Sequence, residues 1–80
     1  MIMVDIRILP INKTYDFNLD EDTIIGVLVE EVIEMVLQKE KGTLTGRIED
    51  MYLCSKNYIL SKDSTLRDCG IKTGDYLFMV

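Results

Sequence analysis

Val4, Ile6 and Ile8 alternate with Asp5 and Arg7. That period of two predicts a strand with one wet face. Pro10 blocks its continuation, and Asn12-Lys13 supply turn chemistry. Tyr15, Phe17 and Leu19 then alternate with Asp16 and Asn18, so the two runs predict a β-hairpin. From Ile24 the spacing changes to the helical period. Ile25, Leu28, Val32, Met35 and Val36 share one face, with Glu30, Glu34 and Gln38 opposite. Acidic Asp20-Glu21-Asp22 precedes the positive end of this helix, with Asp22 or Thr23 expected as its N-cap. Lys39 and Lys41 fall in the last turn, and Gly42 is placed to end it. Gly26 in the first turn costs about 1 kcal/mol of helix propensity, which a strong apolar face offsets.

The remainder reads as short pieces. Residues 42–50 are expected to form a loop, Met51 to Cys54 a short strand, and Tyr58 to Leu60 another after a Ser-Lys-Asn turn. Leu66 to Ile71 is too short for a full helix and predicts a tight turn that inserts Leu66 and Ile71 into the core. Thr73-Gly74-Asp75 is a turn, and Tyr76 to Val80 a final alternating strand. The order β-β-α-β-β-β, a hairpin followed by one helix and further strands, predicts an α+β fold of the β-grasp type. Its sheet is mixed, with the helix packed across it. The first and last strands are expected to lie parallel in its centre, the helix supplying the long crossover.

The C-terminal stretch carries a more specific signal. Leu60, then Thr65-Leu66, Asp68, Ile71 and Leu77, resembles the end of ubiquitin-like domains. Within that class the run LRDCGIKTGDYLFMV (67 to 80 with Leu66 before it) is similar to the YukD/EsaB family. These are small bacterial ubiquitin-like proteins of type VII secretion systems. The resemblance implies a cytoplasmic accessory or regulatory protein whose partner belongs to that machinery, including a membrane component with a cytoplasmic part. The sequence stops at Val80 inside the last strand without the Gly-Gly tail of ubiquitin and the sulfur carriers. Neither conjugation nor sulfur transfer is therefore expected.

Bulk numbers narrow the function classes. Eighty residues make one domain, residues 1–80, and a chain this short buries only about 60–65% of its unfolded surface. That leaves little room for a deep substrate cavity, so an enzyme is not expected. A composition of 48% hydrophobic and 29% charged residues is that of a globular protein. The net charge of −5, with Arg7, Lys13, Arg47, Lys56, Lys62 and Lys72 scattered, argues against nucleic acid or an anionic membrane as partner. The longest apolar region, Ile24 to Leu37, is broken by Glu30, Glu31 and Glu34 and cannot span a bilayer. No leader-like segment is present, which points to the cytoplasm.

No catalytic or cofactor constellation emerges. Cys54 and Cys69 fit neither a redox pair nor a zinc knuckle, and with no histidine a Ser-His triad is excluded. Both thiols are expected reduced, one of them buried as a small hydrophobe. Glu30, Glu31 and Glu34 read as a solvated helix face rather than a metal or catalytic cluster.

The candidate site is a surface. If Leu77, Met79, Met51 and Leu53 point inward, then Tyr76, Phe78, Val80, Tyr52 and Cys54 point outward, with Leu9 at the rim. Leu9, Tyr52, Phe78 and Val80 are then expected to form an apolar patch that binds a protein partner. Scattered surface hydrophobes are the ordinary alternative. Val27, Ile33 and Leu37 lie outside the central helix stripe and either form a dimer seam or are covered by the 42–50 loop. Three readings stay open: a non-conjugated binding module, a carrier that lacks its tail, and a homodimer built through the helix back or a strand edge.

Overall fold

The computed structural model describes residues 1–40, 51–56 and 58–80. Strand β1 runs over Ile2–Ile8 and β2 over Lys13–Leu19. Helix α1 covers Ile25–Glu40, β3 is the short pair Leu53–Cys54, and β4 is Tyr76–Met79. The sheet order is β2-β1-β4-β3. The outer pairs are antiparallel, whereas β1 and β4 lie parallel in the centre, as the crossover through α1 requires.

Alternation along the strands sorts the sheet into two faces. Val4, Ile6, Ile8, Phe17, Leu19, Leu53, Leu77 and Met79 are buried and pack with the helix. Every buried residue among those described is apolar. Complete burial of a side chain such as Ile6 stabilises by about 1.5–3 kcal/mol.

The helix buries Ile25, Leu28, Val29, Val32, Ile33 and Val36. This is the expected period, but the stripe is rotated. Met35, expected in the core, is exposed, while Ile33, expected on the helix back, is almost fully buried. Leu37 is half-buried against the same core, so Ile33 and Leu37 do not form a separate dimer strip. Ile33 and Met35 sit about 80° to either side of the stripe through Ile25, and the helical period alone cannot choose between them. The expected helix stop at Gly42 and the covering loop at 42–50 lie outside the described residues.

The start of α1 departs from expectation in an informative way. Neither Asp22 nor Thr23 caps it. Asp20 instead accepts from the Asp22 amide at 3.0 Å and from the Thr23 hydroxyl at 3.1 Å, closing the turn before the helix. The first helical amides go to another part of the chain. Ile25 N donates to Ser64 O at 2.8 Å, and Gly26 N to Lys62 O at 3.0 Å. Backbone carbonyls thus satisfy the donors that every helix start leaves open. The close approach explains Gly26: a Cβ there would stand 3.3 Å from the Lys62 carbonyl oxygen.

The C-terminal signature has a mechanical meaning. Asp68 N donates to Thr65 Oγ1 at 3.0 Å and Thr65 N to Asp68 Oδ2 at 3.3 Å, a reciprocal cap over one helical turn. Gly70 ends that turn at φ 73°. Leu66 and Ile71, on either side of it, are both buried as the sequence predicts. Gly74 adopts φ 93° next to Asp75, whose side chain accepts from Lys72 N at 2.8 Å. The expected strand at Tyr58 to Leu60 is only a single bridge between Cys54 and Ile59. The expected strand from Met51 narrows to Leu53–Cys54, although Tyr52 and Val80 exchange backbone bonds at 2.8 and 3.0 Å.

Candidate functional site

The face of the sheet turned away from α1 is built by the same alternation that builds the core. Register arranges it in rows across the strands. Asp16 of β2 faces Asp5 of β1, which faces Tyr76 of β4. In the next row Thr14, Arg7, Phe78 and Cys54 follow one another. Beyond it Tyr52 pairs with Val80, and Leu9 follows β1 at the same end.

All four residues expected on the patch lie on this side of the sheet or at its rim. Leu9, Tyr52 and Val80 are 41–44% exposed, and Phe78 is half-buried among its neighbours. The patch has a different membership from the one the sequence suggests. Tyr76 meets Phe78 edge to face at 5.3 Å between ring centroids, so the two rings form one unit. Cys54 is the direct cross-strand neighbour of Phe78. Arg7 stands between Phe78 and Thr14 and divides the apolar surface from β2. Tyr52 lies at the rim, with Lys62 Nζ 4.4 Å above its ring. Strand alternation already marks Tyr76 and Cys54 as outward. Their adjacency to Phe78 comes from register.

Polar contacts fix this face. Tyr76 Oη and Thr14 Oγ1 are 3.1 Å apart, a bridge over β1 from β4 to β2. The Arg7 guanidinium donates to Asn12 Oδ1 in the left-handed turn residue between the hairpin strands. Asp5 is the electrostatic exception. A hydrogen bond with Asp16, then burial and the Asp16 charge, hold its carboxyl above the ordinary carboxylate range.

The two thiols sit in settings that disfavour the thiolate. Both thiols are half-buried; burial pushes Cys54 up, and burial with the Asp68 charge pushes Cys69 up. Reactive thiols need the opposite shift. The acidic group whose oxygens come together is Asp20, Glu21 and Asp22, not the helix glutamates. Asp22 is already engaged by Arg67 in two bonds of 2.7 and 3.1 Å. A hollow of about 320 Å³ lies beside Tyr76, Asp75 and Ser55. No helix of the described residues is long and apolar enough to cross a membrane.

Comparison of the architecture with solved structures decides the fold. The ubiquitin-like domain of Plasmodium falciparum Dsk2 is similar over 99% of this chain and 95% of that one, with a TM-score of 0.77 and 18% identity. The fold is the ubiquitin-like β-grasp. The N-terminal ubiquitin-like domain of the 4931431F19Rik protein is similar over 99% of this chain and 72% of that one, with a TM-score of 0.77 and 16% identity. A de novo design based on ubiquitin is similar over 99% and 85%, with a TM-score of 0.76 and 19% identity. No protein-family model and no curated protein sequence matches the chain. In this ubiquitin-like fold the helix covers one sheet face only. The Phe78 row therefore lies on the face left open.

Proposed function

We propose that the chain is a protein-binding module that docks a partner without covalent attachment through the outer face of its sheet. The observation that carries this reading is the Tyr76–Phe78 ring pair, flanked by Cys54, Val80 and Leu9 on the face opposite the helix. Contiguous apolar surface of this kind marks interaction sites. A rigid sheet presents it with little ordering cost on binding. The proposed setting is the cytoplasm, where the chain serves as an accessory or regulatory part of a type VII secretion system. The resemblance of the 66–80 segment to the YukD/EsaB family supports that setting.

The test is affinity capture from native cells with the tagged chain and its Tyr52→Ala/Phe78→Ala variant, followed by mass spectrometry. Recovery of secretion-machinery subunits by the parent chain alone, with a variant that still unfolds cooperatively in urea, is the expected outcome. Leu9→Ser provides a second variant at the exposed rim. Equal capture by all three chains overturns the surface. Covalent adducts through the Val80 carboxylate support a carrier instead, and other partners with the same residue dependence overturn only the secretion setting.

A further inference from the structure

Strand β2 forms one edge of the sheet, with β1 as its neighbour. Backbone direction shows what that edge offers. Asp5 N donates to Asp75 O at 3.1 Å, and Met3 O accepts from Gly74 N at 2.9 Å. The odd-numbered backbone groups of β1 therefore turn toward β4 and the even-numbered ones toward β2. Ile2, Val4, Ile6 and Ile8 face Leu19, Phe17, Tyr15 and Lys13 in register. Those residues of β2 spend their N–H and C=O groups on β1, so the backbone groups of Thr14, Asp16 and Asn18 point out of the sheet. This edge is neither shortened nor interrupted: it runs for seven residues, pairs one to one without a bulge, and contains no proline. The opposite edge differs, since β3 has two residues and is closed by the Cys54–Ile59 bridge.

The flank of α1 above this edge carries exposed apolar surface. Lys39 Nζ lies 5.1 Å over the Tyr15 ring, which places the Lys39 side of the helix over β2. Met35 stands one turn earlier on that side and is exposed. We propose that a second copy of the chain pairs with this edge, β2 against β2 and antiparallel, to make a two-fold dimer with one continuous sheet. The dimer does not depend on the Phe78 row. Symmetry limits its register. Facing residues of an antiparallel pair share a sheet face, so the two-fold axis falls on a residue. An axis on Asp16 sets that carboxylate against its own copy, a like-charge contact. An axis on Phe17 centres a ring that is already buried. An axis on Tyr15 sets Thr14 against Asp16 and Lys13 against Phe17, and brings the half-buried Tyr15 rings and the Met35 side chains toward the seam. Two-fold pairing also closes the assembly, because only the short β3 edge remains on each side.

Equilibrium sedimentation of the whole chain at rising concentration tests the dimer. A monomer–dimer equilibrium without larger species is expected, tightened by added salt, which screens the net charge of −5 on each copy. Asp16→Pro removes an outward N–H and leaves the β1 ladder intact, a position where an edge strand accepts proline. The variant is expected to weaken the dimer about tenfold, the loss of one backbone bond from each copy, and still to unfold cooperatively in urea. A chain that stays monomeric at millimolar concentration, or a dimer of equal strength in the folded Asp16→Pro variant, overturns the edge. Hydrogen exchange on the unaltered chain decides the question if the variant does not fold. The Thr14 and Asp16 amides are expected to slow as concentration rises, while the Tyr15 and Phe17 amides, bonded to β1, change less. Exchange at Thr14 and Asp16 that is independent of concentration overturns the proposal.

Discussion

The two faces of this sheet are made by the same strands in the same register, yet they carry opposite kinds of order. On the inner face, Ile6 is flanked by Tyr15 and Leu77 and covered by the helix, and its surroundings are apolar. One strand position away, Asp5 is flanked by Asp16 and Tyr76 and opens outward. The inner face is consistent at every level: propensity, alternation and burial agree. The outer face holds one pair of facing carboxyls, one ring pair and one arginine that donates to the turn residue Asn12. Such local conflict with stability is where function is expected to concentrate.

Mutations that contrast the faces sharpen this difference. The largest effect is expected at Ile6→Ala, which empties a fully buried site and should cost about 2–5 kcal/mol, read as a drop in urea midpoint. Phe78→Ala, half-buried on the outer face, should cost distinctly less while removing partner capture. Equal stability losses at the two positions would erase the contrast.

A smaller loss is expected where the C-terminal turn docks on the core. Thr65→Ala removes the hydroxyl that accepts from the Asp68 amide and should cost about 1 kcal/mol, the usual scale for a lost cap. Binding to the outer face should be unchanged, since the turn lies away from the Phe78 row. A binding defect at full stability would assign the motif a direct role in docking.

The smallest effects are electrostatic and opposite in sign. Arg67 holds the Asp22 carboxyl below the ordinary carboxylate range. Its contribution is present above the unfolded-state value and is lost as pH falls through the lower folded value. Asp16 holds Asp5 above that range. The Asp5 contribution is present below the unfolded-state value and is lost as pH rises through the higher folded value. Asp5→Asn should therefore steepen the loss of stability on acidification, and Arg67→Ala should flatten it. Urea midpoints measured across the carboxylate titration range check both, and parallel curves for the two variants would contradict them.

Much of the architecture was legible in the chain. Alternation at Val4-Ile6-Ile8 and at Tyr15-Phe17-Leu19 marks the hairpin, the period from Ile25 to Val36 marks the helix, and Leu66 and Ile71 are recognisable as core residues of a tight turn. The outward direction of Leu9, Tyr52, Phe78 and Val80 follows from the same alternation. The motif Thr65-Leu66-Arg67-Asp68 is legible as well, because its reciprocal cap needs only residues three apart.

What the chain alone left open is everything that depends on a distant segment. That Ile33 rather than Met35 enters the core was settled by how the helix sits in the folded chain, since the helical period places both at the edge of the stripe. The helix start is satisfied by carbonyls of Lys62 and Ser64 rather than by its neighbours in sequence, and that approach is what Gly26 accommodates. The meeting of Asp5 with Asp16, and of Phe78 with Tyr76 and Cys54 in one patch, was settled by strand order and register. The physical reason is the same in each case. A side chain's direction is fixed by the dihedrals of its own residue and is written locally. Its neighbours across the sheet depend on register, and a shift of one residue would change every one of them.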